Sequence, residues 1–188
     1  MSINPKAIAV ALMAGAAVSP AFADGFYVAL DAGQAKVKDA CSGLPPGVNG
    51  CKDAATLYRA AGGYQFTPAW GAEASYADYG KESAGMLLGS TVYWQASGFQ
   101  LAGTGTFPIN ENLSLIAKLG LARTELKLSG GVSARATSTK PVYGIGVQHD
   151  FTSAISGRFQ FEDLGIVGDN NTSTSRFMLL SIGVVCKF

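Results

Sequence analysis

The 188 residues are 48% hydrophobic and only 14% charged, with 24 glycines and a formal net charge of +1. That balance excludes a disordered chain, which needs low hydrophobicity and high charge, and a nucleic-acid partner, which needs clustered Lys and Arg. After residue 23 no apolar run reaches the roughly 20 residues of a membrane-spanning helix.

The amino end reads as an export signal. Lys6 supplies a positive start, residues 7–18 are apolar, and Ala21-Phe22-Ala23 places small residues where a signal peptidase cuts. The expected organisation is a cleaved signal peptide over 1–23 and a single domain over 24–188.

Eight segments then alternate with a period of two. In 25–37, Phe26, Val28, Leu30 and Ala32 oppose Tyr27, Ala29, Asp31 and Gly33. In 57–67, Tyr58, Ala60, Gly62, Tyr64 and Phe66 oppose Arg59, Ala61, Gly63 and Gln65; from 70, Trp70, Ala72, Ala74 and Tyr76 oppose Gly71, Glu73 and Ser75. The fourth segment ends with Phe99, Leu101, Gly103, Gly105 and Phe107 on one side, and its irregular start (91–98) predicts a bulge. In the fifth, Leu113, Leu115, Ala117, Leu119 and Leu121 oppose Ser114, Lys118, Gly120 and Ala122, with Ile116 on the polar side. The last three carry Tyr143, Ile145, Val147 and His149, then Ile155, Gly157, Phe159 and Phe161, then Met178, Leu180, Ile182, Val184, Cys186 and Phe188. Connections alternate between tight ones (68–69, 108–112, 152–154) and long polar ones (38–56, 81–90, 129–139, 168–175). Three of the tight ends share Phe followed by Thr or Pro: Phe66-Thr67-Pro68, Phe107-Pro108 and Phe151-Thr152, a repeat at the level of the hairpin.

Among the residues just named one face of every segment lacks charge, and Asp31, Arg59, Glu73, Lys118, Arg158 and Glu162 all fall on the other faces. Successive strand residues point to opposite faces, so the sheet has a greasy side and a polar side. Behind an export signal, this predicts an all-β fold: an eight-stranded antiparallel up-and-down transmembrane β-barrel, with short periplasmic turns and long extracellular loops. Lipocalin-like soluble barrels share the period with the opposite sense. They are disfavoured because the polar face is mostly Gly, Ala, Ser, Thr and Gln, which suit a narrow bore better than a soluble surface of roughly 25–35% charged residues. Turning the charged face to lipid would cost about 2–4 kcal/mol for each midplane cation. Inside, the six charges can pair as a lumen network. Phe26, Phe66, Trp70, Phe107, Phe151 and Phe188 towards the turns, and Tyr58, Tyr76, Tyr79, Tyr93, Trp94 and Tyr143 towards the loops, read as two aromatic belts.

Cys41 and Cys51 flank a turn-rich stretch, and in an oxidising compartment they are expected to form a disulfide worth about 2–3 kcal/mol. The competing metal or redox pair lacks His partners and CxxC spacing. Cys186 is then an odd thiol in the last segment.

Gly62-Gly63-Tyr64-Gln65-Phe66-Thr67, Glu73-Ala74-Ser75-Tyr76, the run Gly144-Ile145-Gly146-Val147-Gln148-His149-Asp150-Phe151-Thr152, Arg158-Phe159-Gln160-Phe161-Glu162, and the closing Ser181-Ile182-Gly183-Val184-Val185-Cys186-Lys187-Phe188 resemble the OmpA-like and opacity-type family of small outer-membrane barrels. The resemblance covers 24–188 by pattern more than by identity. It implies location in the cell outer membrane, contact with its lipids, and a terminal Phe188 read by the barrel-assembly machinery. His149 stands where that family usually has an aromatic. The family often continues into a peptidoglycan-binding domain, and the resemblance here does not extend to cell-wall anchoring.

No catalytic, cofactor or metal residues are expected. Some eight-stranded barrels resemble lipid-A acyltransferases, but His149 is the single histidine and lies beside a turn, not at the outer rim. Gly144-x-Gly146 is strand glycine, and Asn170-Asn171-Thr172 is loop composition despite matching a sequon. The expected function is a non-enzymatic, surface-exposed envelope component whose loops, above all residues 41–51, recognise an unknown extracellular ligand. A narrow channel lined by Arg59, Lys118 and Arg158 is the alternative.

Overall fold

A computed structural model describes residues 25–37, 54–87, 90–129, 134–167 and 175–188. Its strands are β1 (Gly25–Val37), β2 (Ala54–Gln65), β3 (Trp70–Leu87), β4 (Ser90–Pro108), β5 (Leu113–Ser129), β6 (Ala134–Asp150), β7 (Ile155–Val167) and β8 (Ser175–Lys187). Each pairs antiparallel with its chain neighbour and β8 closes on β1, so the sheet has no free edge. Closure satisfies every ladder, which hydrocarbon requires. The predicted faces are the built ones: Leu30, Leu101, Leu119, Leu121, Ile145 and Ile182 stand outward, whereas Asp31, Arg59, Glu73, Lys118, Arg158 and Glu162 are buried inside. Ile116, the apolar residue on the polar side, is also inside.

The three turns share one chemistry. The N–H groups of Phe66 and Thr67 both donate to the Trp70 carbonyl, those of Ile109 and Asn110 to Leu113, and those of Phe151 and Thr152 to Ile155. The side-chain oxygens of Thr67, Asn110 and Thr152 accept from the backbone two and three residues on, which is why Thr and Asn suit that position. The third member of the repeat is therefore Ile109-Asn110, not Phe107-Pro108; Pro108 still lies in β4 and pairs with Ser114.

Four expectations about the loop end are corrected. Residues 81–90 and 129–139 are mostly strand: β3 and β4 pair out to Leu87 and Ser90, and β5 and β6 out to Leu128 and Ala134. Beyond the lipid band neither face of a strand needs to be apolar, so composition can turn polar while the ladder continues. The bulge expected in β4 belongs to β3, where Tyr79 and Gly80 oppose the single Ala96. Its counterpart lies in β7, where Leu164 and Gly165 oppose Phe177. Gly80 and Gly165 have φ of 80° and 70°, accessible to glycine at little cost, and each N–H is held by the Asp two residues before it, Asp78 or Asp163. Tyr79, expected in the outer belt, is instead 1% exposed and points into the bore. Trp94's side chain lies outside the described part.

The bore is layered rather than uniformly polar. Towards the loop end Leu57, Tyr79, Val142, Leu164, Phe177 and Leu179 pack with small alanines into an apolar plug. Below it lie the six charges, and below those Ala29, Ala61 and Val185 against Tyr27. The stretches 58–80 and 143–165, each a strand, a turn and a bulged strand, match position for position. They share Tyr58/Tyr143, Phe66/Phe151, Thr67/Thr152, Ala69/Ala154, Asp78/Asp163 and Gly80/Gly165.

Candidate functional site

The six lumen charges form a closed ring of alternating sign. Asp31 on β1 meets Arg59 Nε on β2 at 2.9 Å and Arg158 Nη2 on β7 at 2.7 Å. Arg59 continues to Glu162, Glu162 Oε1 lies 3.4 Å from the Lys118 ammonium, and Lys118 donates to Glu73 Oε1 at 2.6 Å. Arg158 closes the circuit, donating to Glu73 Oε2 at 2.6 Å and gripping Asp31 through Nε as well as Nη2. Every charge thus has two partners of opposite sign, and the ring is neutral. All six side chains are at most 3% exposed, so no member could be left alone without a large desolvation cost. The Lys118–Glu162 side is the loosest, since Glu162 Oε1 accepts no hydrogen bond.

Glycines let side chains in and beside the ring reach across an intervening strand. Asp31 and Arg158 both pair with Gly183 of β8, which lies between their strands. Lys118 and Glu162 both pair with Gly144 of β6, and Tyr27 and Glu73 both pair with Gly63 of β2. A Cβ at these positions would collide with the Asp31 carboxylate, with Glu162 Cγ and with the Tyr27 ring. Each glycine therefore leaves a gap through which a side chain reaches its partner two strands away.

Sequence reasoning picked out the six charges. It did not see that Tyr27 donates to Glu73 at 3.0 Å and that Ser181 accepts from Arg59 at 3.2 Å. The recurring glycines on the polar face were the available signal. A second small cluster at the turn-side mouth was also missed: Asp150 accepts from Gln148, Ser156 and Lys187. His149 stands outward with its ring edge-on to Phe151 at 5.1 Å between centroids, on the face of the wall opposite the charges. Phe188 is partly exposed on the outside, and its N–H donates to the Phe26 carbonyl at 2.9 Å where β8 meets β1. Cys186 is a free thiol; Cys41 and Cys51 lie outside the described residues.

Residues 7–188 match the family model described as the outer membrane protein beta-barrel domain. The chain belongs to that outer-membrane β-barrel family. It is accordingly an outer-membrane protein, and the soluble lipocalin-like alternative is set aside. Among relatives of this family, outer membrane protein A of Shigella flexneri is 31% identical over 137 residues, covering 68% of this chain and 38% of the relative. The Klebsiella pneumoniae protein of the same name is 30% identical over 136 residues, covering 68% and 39%. The chain thus spans about two-fifths of the length of these relatives. Solved structures share the fold. The attachment invasion locus protein Ail of Yersinia pestis, in complex with the heparin analogue sucrose octasulfate, has a TM-score of 0.60 at 18% identity, covering 88% of this chain and 99% of that one. The N-terminal barrel of OprF from Pseudomonas aeruginosa gives 0.59 at 16% identity, covering 88% and 99%.

Proposed function

We propose that this family member is a non-enzymatic scaffold of the outer membrane that holds its hairpins at the cell surface and conducts nothing through its bore. The observation that carries the reading is the filled lumen. A neutral charge ring crosses it at mid-height, and the plug of Leu57, Tyr79, Val142, Leu164, Phe177 and Leu179 seals it above. Eight strands enclose a bore just wide enough to be filled by side chains, and here it is filled twice. What remains available to a partner is the outward rim, where β3–β4 and β5–β6 extend furthest. Recognition of an extracellular ligand by that rim and by residues 41–51 is the functional half of the proposal. The binding of a heparin analogue by Ail, a barrel of the same fold, supports asking the question of this chain. Docking of the last strand by the assembly machinery through Phe188 belongs to the same reading.

Refolded protein in planar bilayers tests it. The scaffold predicts no stepwise conductance for the full chain. Discrete openings would favour the narrow-channel reading, with the ring as its constriction.

A further inference from the structure

The outer faces of β3 to β6 above the lipid band carry a basic strip that the scaffold role does not use. Outward Leu101, Leu121 and Pro141 share one cross-strand row. The next outward row is Tyr76, Phe99, Arg123 and Thr139; then Asp78, Ser97, Glu125 and Thr137; then Lys81, Gln95, Lys127 and Arg135. Arg123 stands two residues past Leu121, about 7 Å along the strand, with exposed Phe99 beside it and exposed Tyr76 beyond Phe99 in the same row, aromatics of the kind found where a barrel leaves hydrocarbon. It is exposed and makes no ion pair among the described residues. Glu125 is shared by Lys127 at 3.0 Å and by Arg135, so this trio keeps one net positive charge. Lys81 lies 4.7 Å above the ring of Tyr93. The corresponding outward positions of β1, β2, β7 and β8 hold one cation among the described side chains, Lys36.

We infer that Arg123, Lys127, Arg135 and Lys81 form a binding strip for phosphate-bearing headgroups of the membrane's own outer leaflet. Three features favour a lipid over a soluble anion. The strip faces sideways, in the direction of the neighbouring lipids. Its lowest member is one outward step above exposed leucine, at headgroup height. It rests on paired strands, so guanidinium groups that can grip phosphate through two parallel bonds are held in place. Glu125 tempers the strip, because a phosphate must compete with it for Lys127 and Arg135. The strip stands apart from the scaffold reading, since a conducting barrel would carry it equally well.

The test is spin-label EPR on the full chain refolded into phosphatidylcholine bilayers containing trace nitroxide-labelled phosphatidic acid or phosphatidylcholine. The fraction of label immobilised at the protein surface gives a relative association constant. The native barrel is expected to prefer the phosphatidic acid, and molar salt to weaken that preference. Arg123→Ala with Lys127→Ala should reduce it by roughly fivefold per cation removed, and Glu125→Gln should raise it. Heat-shifted migration on gels establishes that both variants are folded. Equal association of the two lipids, or a preference unmoved by either variant, overturns the proposal. So does capture of a sulfated oligosaccharide from solution by barrels that show no lipid preference.

Discussion

Two regions of this barrel contain the same contact, a carboxylate bridging two cations, in opposite surroundings. In the lumen Glu73 joins Lys118 and Arg158 with side chains at most 3% exposed. On the rim Glu125 joins Lys127 and Arg135, whose side chains are 56% and 66% exposed. Distances alone would rate the two alike. Water separates them: the rim ions keep their hydration when parted, whereas a lumen ion that loses a partner stays buried and charged. The lumen group is committed to the fold, and the rim group is free to exchange its carboxylate for something else.

Breaking the ring should give the largest effect. Arg158→Leu leaves Asp31 and Glu73 with one cation each and the buried ring with an uncompensated negative charge, and is expected to lower stability by about 3–5 kcal/mol, read as the urea midpoint for unfolding from lipid vesicles. A midpoint close to native would mean that water reaches the bore and the contrast with the rim is lost. Leu164→Ala opens the plug while leaving the ions intact, with an expected loss of about 2–4 kcal/mol. Were its effect negligible, the apolar layer would not be a packed core. Gly183→Ala keeps every charge but inserts a methyl against the Asp31 carboxylate and the Leu30 carbonyl. It should cost about 1–3 kcal/mol in the same assay, and a harmless substitution would show that the ring does not depend on the glycine gap. Glu125→Gln should leave the midpoint unmoved at physiological salt; a loss comparable to that of Arg158→Leu would erase the distinction between the two regions.

Much of this was legible in the sequence because lipid is an intolerant solvent. One misplaced charge per strand would have spoiled the pattern, so Asp31, Arg59, Glu73, Lys118, Arg158 and Glu162 declared their side. The rule weakens where the solvent changes. Above the lipid band both faces of β3–β6 can be polar, and alternation no longer distinguishes strand from loop at 81–90 or 129–139. Tyr79 was misplaced for a different reason: its aromatic character and its position near a strand end suggested a belt. Counting by twos from Glu73 through Ser75 and Ala77 leads inward instead. The order of partners around the ring was out of reach, because it depends on which strands carry glycine between charged neighbours and therefore on the register of a closed sheet.

The matching hairpins 58–80 and 143–165 carry a consequence of their own. They stand four strands apart in a cylinder of eight, so half a rotation about its axis exchanges them, and equivalent positions face each other along a diameter. Glu73 and Arg158 are such a pair, and they touch at 2.6 Å. A barrel of two identical halves would seat like beside like at that point and repel itself, so this pseudo-twofold molecule can fill its centre only by being asymmetric there.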